Sequence, residues 1–183
     1  MNRIYYMSVM QNTHRSEIFL SEEMRKFEKS NFLEKSSYSF MKKAGHEVFK
    51  FIKDNFKKRQ SIIVLCGPGN NGGDGFVIAN HLRDSGYKIK VYTFADTNKY
   101  RGDALRAWKK FKGITKKISF FKLEKNTLIV DALFGIGLKR NISGKLEKIF
   151  KLINKGNNPV VSVDIPSGVS SDTGRILGRA IKA

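Results

Sequence analysis

Apolar positions along the chain change their period several times, and each change predicts an element. Between residues 38 and 52, Phe40, Met41, Ala44, Val48, Phe51 and Ile52 recur at spacings of three and four. That spacing predicts an amphipathic helix with a core-facing stripe, with Gly45 as a point of close approach. A similar pattern over 20–32, with Ser21 as N-cap and Met24 and Phe27 on one face, predicts a shorter helix ahead of it. Residues 61–66, Ser-Ile-Ile-Val-Leu-Cys, form a continuous apolar run ended by Gly67-Pro68-Gly69, which reads as a strand buried on both faces. Helices follow over 75–85, stopped by Gly86, over 103–111 and over 144–154. Further strands fall at 88–94, 118–121, 127–131 and 159–164. Regular alternation of strand and helix predicts βαβ units with right-handed crossovers. The fold class is α/β: a Rossmann-like three-layer α/β/α sandwich with a mostly parallel sheet, for which one arrangement has the strands in the order 3-2-1-4-5.

Composition narrows the picture. At 183 residues the chain is the size of one domain, read here as a loose leader over 1–19 and a folded domain over 20–183. Hydrophobic content of 40% and charged content of 28% exclude a wholly disordered chain. One Cys excludes an internal disulfide framework and a four-thiolate zinc site, and it fits a reducing compartment. No apolar run approaches the ~20 residues of a membrane span. The N-terminus lacks the apolar stretch of a secretory signal, so the expected address is cytoplasmic, with no membrane partner. Charge is the loudest feature: 35 Lys and Arg against 16 Asp and Glu, a net +19. It implies attraction to anions, whether nucleic acid, an acidic surface or a phosphorylated small molecule, or else a Lys-rich solvated surface. No helix-turn-helix, RNP-type aromatic strand or zinc-finger spacing is present, so nucleic acid is not an expected partner.

Candidate chemistry sits in three segments that follow strands. The first, Gly67-Pro-Gly-Asn-Asn-Gly-Gly-Asp-Gly75, satisfies the G-x-G-x-x-G spacing between a strand and a helix. Glycines there let backbone N–H groups approach a pyrophosphate, and the helix N-terminus adds partial positive charge. The other two, Asp131-Ala-Leu-Phe-Gly-Ile-Gly-Leu-Lys-Arg140 and Asp164-Ile-Pro-Ser-Gly168, each begin with an Asp at the carboxyl end of a strand. With strands one, four and five as neighbours, the three segments converge on one crevice.

These three segments resemble the signature loops of the NAD(P)H-hydrate epimerases (YjeF N-terminal domain type), and Phe40-Met-Lys-Lys-Ala-Gly45 is similar to that family's N-terminal Met-x-x-Ala-Gly helix. The resemblance runs from Leu20 to the end of the chain, where the family's pattern continues into a further C-terminal element. It implies a nicotinamide-repair isomerase that interconverts the R and S epimers of hydrated NADH and NADPH. By position, it places substrate binding on Asn70, Asn71, Gly72, Gly73 and Asp74, on Gly135, Ile136, Gly137, Leu138, Lys139, Arg140 and Asn141, and on Asp164. It implies one potassium ion on Asn71, Asp131 and Ser167, an oxygen donor set that suits a hard cation. It also implies a homo-oligomer, and a separate ADP- or ATP-dependent dehydratase as functional partner. Asp164 is the expected general acid–base, with Asp74 as second choice and Lys139 as a charge partner for the phosphates.

Two other readings stay open on the residues alone. A NAD-dependent oxidoreductase would need an acidic residue at the end of the second strand, where Asp96 stands late. A catalytically impaired, truncated nucleotide-binding domain would keep the crevice without the chemistry. Cys66 reads as a packed thiol, His46 and His81 as helix residues without metal-ligand spacing, and Trp108 as core or interface.

Overall fold

The computed structural model describes residues 36–57 and 60–183, with Glu22, Glu23 and Lys26. The leader and the helix expected over 20–32 lie outside the described residues, apart from those three. They are helical, and Lys26 pairs with Glu22 at 3.2 Å.

The element order is α1 (Ser37–Asn55), β1 (Ser61–Cys66), α2 (Asn70–Asp84), β2 (Ile89–Thr93), α3 (Gly102–Lys110), β3 (Thr115–Lys117), β4 (Thr127–Ala132), α4 (Gly144–Lys155) and β5 (Val160–Ser162). All strands pair in parallel in the order β3-β2-β1-β4-β5, as the alternation predicts. Side chains alternate across a strand, so β1 and β4 feed two cores. Ile62, Val64 and Cys66, with Leu128, Val130 and Ala132, pack under α1, α2 and α3. Ile63, Leu65 and Ile129 face the other way, against Leu146, Ile149, Phe150 and Ile153 of α4. Burial on both faces explains why these strands read as unbroken apolar runs.

Three expectations are corrected. Helix α2 begins at Asn70, not at Gly75, so Asn70-Asn-Gly-Gly-Asp74 is its first turn rather than a loop. The third strand is 115–117, because Ile118–Phe120 close a 3₁₀ turn instead of extending it. In α1 the buried stripe runs through Tyr38, Met41, Gly45, Val48, Phe49 and Ile52, leaving Phe40 exposed. Trp108 stacks on the buried Tyr100 ring at 6.2 Å, and Cys66 is fully buried, as expected of packing residues. Among the described residues, no helix is long and apolar enough to cross a membrane.

Gly45 is the contact point between α1 and α2. A Cβ there would lie 2.6 Å from Val77 Cγ1 and 2.9 Å from Val77 Cβ. Ala in place of Gly gains about 1 kcal/mol of helix propensity, whereas overpacking of this kind costs about 1–3 kcal/mol. Gly45→Ala therefore lowers the urea midpoint at unchanged m-value, and Gly45→Val lowers it further.

Candidate active site

The carboxyl ends of β1, β4 and β5 build the site, and the β1–α2 turn sets its floor. Gly67 N donates to Ala132 O at 2.9 Å, drawing this turn against the segment that follows β4. A Cβ on Gly67 would overlap Leu133 O, and one on Gly72 would overlap Gly67 O, so neither position admits a side chain. Gly69 is the N-cap, in extended conformation, and its carbonyl takes the first helical bond, from Gly73 N at 3.1 Å. The N–H groups of the first helical residues have no acceptor within the helix, an arrangement that suits an anion at its positive end.

Two carboxylates stand at the carboxyl ends of β4 and β5 in different environments. Asp131, at the end of β4, is fully buried. Its Oδ1 accepts from Leu133 N at 3.3 Å and Ser167 Oγ at 2.6 Å, and its Oδ2 from Ser167 N at 2.8 Å and Ser162 Oγ at 3.1 Å. Burial pushes its pKa above the ordinary carboxylate value, and the bonds from Ser167, Leu133 and Ser162 act in the opposite direction. Asp164, just beyond β5, accepts one bond, from Ile136 N at 3.0 Å on Oδ2. Measured by area the residue is exposed, but protein atoms crowd its carboxyl. That desolvation raises its pKa, with the Ile136 N–H opposing.

Residues 37–183 match the family described as YjeF-related protein N-terminus. The chain belongs to this family. The NAD(P)H-hydrate epimerase of Lentilactobacillus buchneri is 36% identical over 150 residues, covering 80% of this chain and 70% of that protein. The NAD(P)H-hydrate epimerase of Rhodobacter capsulatus is 34% identical over 170 residues, 86% of this chain and 79% of that one. The bifunctional NAD(P)H-hydrate repair enzyme of Dictyoglomus turgidum is 38% identical over 174 residues, and this chain spans 34% of its length. Among solved structures, yeast ynu0 (YNL200c) superposes with a TM-score of 0.74 at 28% identity, over 91% of this chain and 77% of that one.

Within this YjeF-related fold the positions singled out by sequence fall into distinct environments. Asn70 is exposed, Gly72 and Gly73 are buried, and Asp74 is half-buried, all in the first turn and a half of α2. Asn71 buries both Oδ1 and Nδ2, and among the described residues neither atom has a hydrogen-bond partner. Gly135 and Ile136 touch Asp164, Leu138 packs toward the α4 core, and Gly137, Lys139, Arg140 and Asn141 are exposed. Asp131 and Ser167 are bonded to each other. Asp96, which the oxidoreductase reading requires for a ribose hydroxyl, is engaged by Lys117 at 2.7 Å. His46 and His81, far apart in sequence, bring their rings within 5.2 Å. Among the described residues no cluster of three or more His, Cys, Asp or Glu could hold a metal ion.

Sequence reasoning passed over three contributors, and it named Gly135 for a different role. Ser162 donates to Asp131, and its signal is a lone polar residue in Val-Val-Ser-Val. Gly135 supplies clearance, because a Cβ there would overlap Asp164 Oδ2. Phe94 and Phe134 meet edge-on at 5.7 Å across the end of β1, a contact with no local signature. A turn over 168–177, joined by Val169 to Ile176, leans on the second segment through Ser171 Oγ and Ile136 O at 3.4 Å.

Removing the Asp131 carboxylate strands its donors. The two hydroxyls can rotate toward other acceptors, whereas Leu133 N and Ser167 N cannot, and each buried N–H without a partner costs about 1–3 kcal/mol. Asp131→Ala therefore lowers the unfolding free energy by about 1–3 kcal/mol per stranded N–H, read as a lower denaturant midpoint, and amide exchange at Leu133 and Ser167 accelerates.

Proposed function

We propose that this chain is an NAD(P)H-hydrate epimerase, acting on NADH or NADPH hydrated on the nicotinamide ring. The observation that carries the proposal is Asp164: a carboxyl with raised pKa, held on the Ile136 N–H, at the same carboxyl end of the sheet as the N-terminus of α2. The names borne by its relatives supply the substrate class.

The chemistry needs little machinery. The lone pair of the ring nitrogen helps expel the hydroxyl from the adjacent carbon, leaving a planar iminium, and water returns to either face. Asp164 protonates the departing hydroxyl and then accepts a proton from the incoming water. A raised pKa suits this double role, since both protonation states are then accessible closer to neutral pH. The N–H groups of Asn70 and Asn71 take a phosphate, Gly72 and Gly73 leave room for it, and Asp74 orients the neighbouring sugar. Gly135 through Asn141 close over the other half of the dinucleotide, with Lys139 and Arg140 offering charge to its phosphates.

Asn71, Asp131 and Ser167 fit one potassium ion. The set is all oxygen with a single negative charge, and the buried polar atoms of the Asn71 carboxamide have no partner among the described residues. Asp131 already accepts four bonds, so a cation beside it takes the place of a hydroxyl proton from Ser162 or Ser167. Such an ion supplies a fixed positive charge at the crevice floor. The working assembly is a homo-oligomer in the cytoplasm, and a second repair activity is supplied by a separate dehydratase.

The test mixes the purified chain with chemically prepared NADHX and follows R/S interconversion by chromatography, with potassium present or replaced by N-methylglucamine. Asp164→Asn loses about 10²–10⁴-fold in turnover and retains dinucleotide binding; near-normal turnover would overturn the assignment of Asp164. The stability sign is opposite. Because the native pKa lies above the unfolded value, this carboxyl subtracts stability as pH rises through that interval. At pH 7 Asp164→Asn therefore melts no lower than the parent. Potassium raises the melting temperature by binding the native state. Asn71→Ala removes that gain without lowering the potassium-free value, since the amide it deletes has no partner.

A further inference from the structure

The +19 charge is not absorbed by the crevice, and part of it converges elsewhere. Helices α1 and α3 flank α2 on the outer face of the molecule. They touch at their starts, where the Ser37 hydroxyl donates to the Asp103 carboxylate. Farther along, a cleft of about 530 Å³ opens between them, floored by Val77, Asn80 and His81 of α2. His81 lies ten residues beyond Asn71, roughly 15 Å along the helix at 1.5 Å per residue, so the cleft and the crevice are separate places.

Its walls are cationic. Lys42, Lys109, Lys110 and Lys112 line it, and Asp84 is the one acidic lining residue. Arg106, Lys110 and Lys42 gather around the Tyr38 ring, at 4.3, 5.3 and 5.9 Å from its centroid. Ring contact of this kind holds cations in place, but it does not neutralise them. Asp84 is bonded by Arg83 at 2.6 Å, and Asp103 is taken by Ser37. Among the described residues, none of these lysines, nor Arg106, has a carboxylate within ion-pair distance. The rim is also fixed in place: Asn80 Nδ2 donates to Lys110 O at 3.1 Å, and Lys112 N donates to Asn80 Oδ1 at 3.2 Å.

We propose that this cleft is a second binding site, for a compact phosphate-bearing anion the size of a pyrophosphate or nucleoside diphosphate. The volume lies within the ~300–1,000 Å³ range of small-molecule sites. Cations that converge on one cleft favour a compact multivalent anion, where a nucleic-acid strand would call for a line of them. Point-charge ammonium groups match phosphate oxygens without demanding a planar partner. The proposal does not depend on the epimerase reading.

Calorimetric titration of the full chain with inorganic pyrophosphate at low ionic strength tests it. Two binding events are expected, one at the start of α2 and one at the cleft. Lys42→Glu/Lys110→Glu weakens the cleft event by at least about tenfold and leaves the other event and the melting temperature unchanged. Lys145→Glu/Lys148→Glu on α4, the same change in net charge, retains both events. A cleft event that survives the first pair, or falls equally with the second, overturns the proposal. A parallel titration with ADP separates the sources: affinity similar to pyrophosphate assigns recognition to the phosphates, and affinity about tenfold tighter assigns it to a nucleotide.

Discussion

The buried carboxylate of Asp131 is the joint on which the crevice depends. It sits at the end of the strand that pairs with β1 on one side and β5 on the other. It gathers donors from its own strand end, from β5 and from the Pro166–Ser167 turn. Ser167 passes the restraint on, since its hydroxyl accepts from Phe134 N at 2.9 Å while donating to Asp131. Three separate pieces of chain are thereby held to one charged group in a place without water, where leaving any of them unpaired is costly.

A division of labour between the two aspartates follows. Asp131 has its lone pairs filled by the fold. Asp164 accepts one bond from Ile136 and keeps capacity in hand, in surroundings that make its charge unfavourable. A carboxyl of the first kind holds structure, and one of the second kind can exchange a proton. Both stand first in their segments after a strand, and nothing in Asp-Ala-Leu-Phe-Gly or Asp-Ile-Pro-Ser-Gly separates them. The difference comes from depth, which is a tertiary property.

Much of the fold is written in local pattern. The all-apolar β1, the alternation of elements and the parallel pairing follow from period and chain direction. What local pattern misses is where competing local rules meet. The glycines at 72 and 73 argue against helix by propensity, yet α2 starts at Asn70, because the glycines are needed for contact with Gly67 and Met41 and the packing outweighs the propensity. Phe40 belongs to the apolar stripe by hydropathy, but Tyr38 takes the buried position beneath Arg106. For the site, the Asp and Asn residues were legible from their places after strands. The clearance at Gly135, the Ser162 bond and the Phe94–Phe134 contact were not, since each joins positions that only the folded sheet brings together.

The steric closure at Gly67 and Gly72 makes the two banks of the crevice unequal in their freedom to vary. On the α2 bank a single added carbon meets backbone, so the wall cannot drift by small steps; its outline is set by main-chain atoms. On the opposite bank Gly137, Lys139, Arg140 and Asn141 stand in solvent, where side chains can be exchanged at little cost to the core. A lineage carrying this architecture can vary one rim freely, while the glycine floor opposite stays the same.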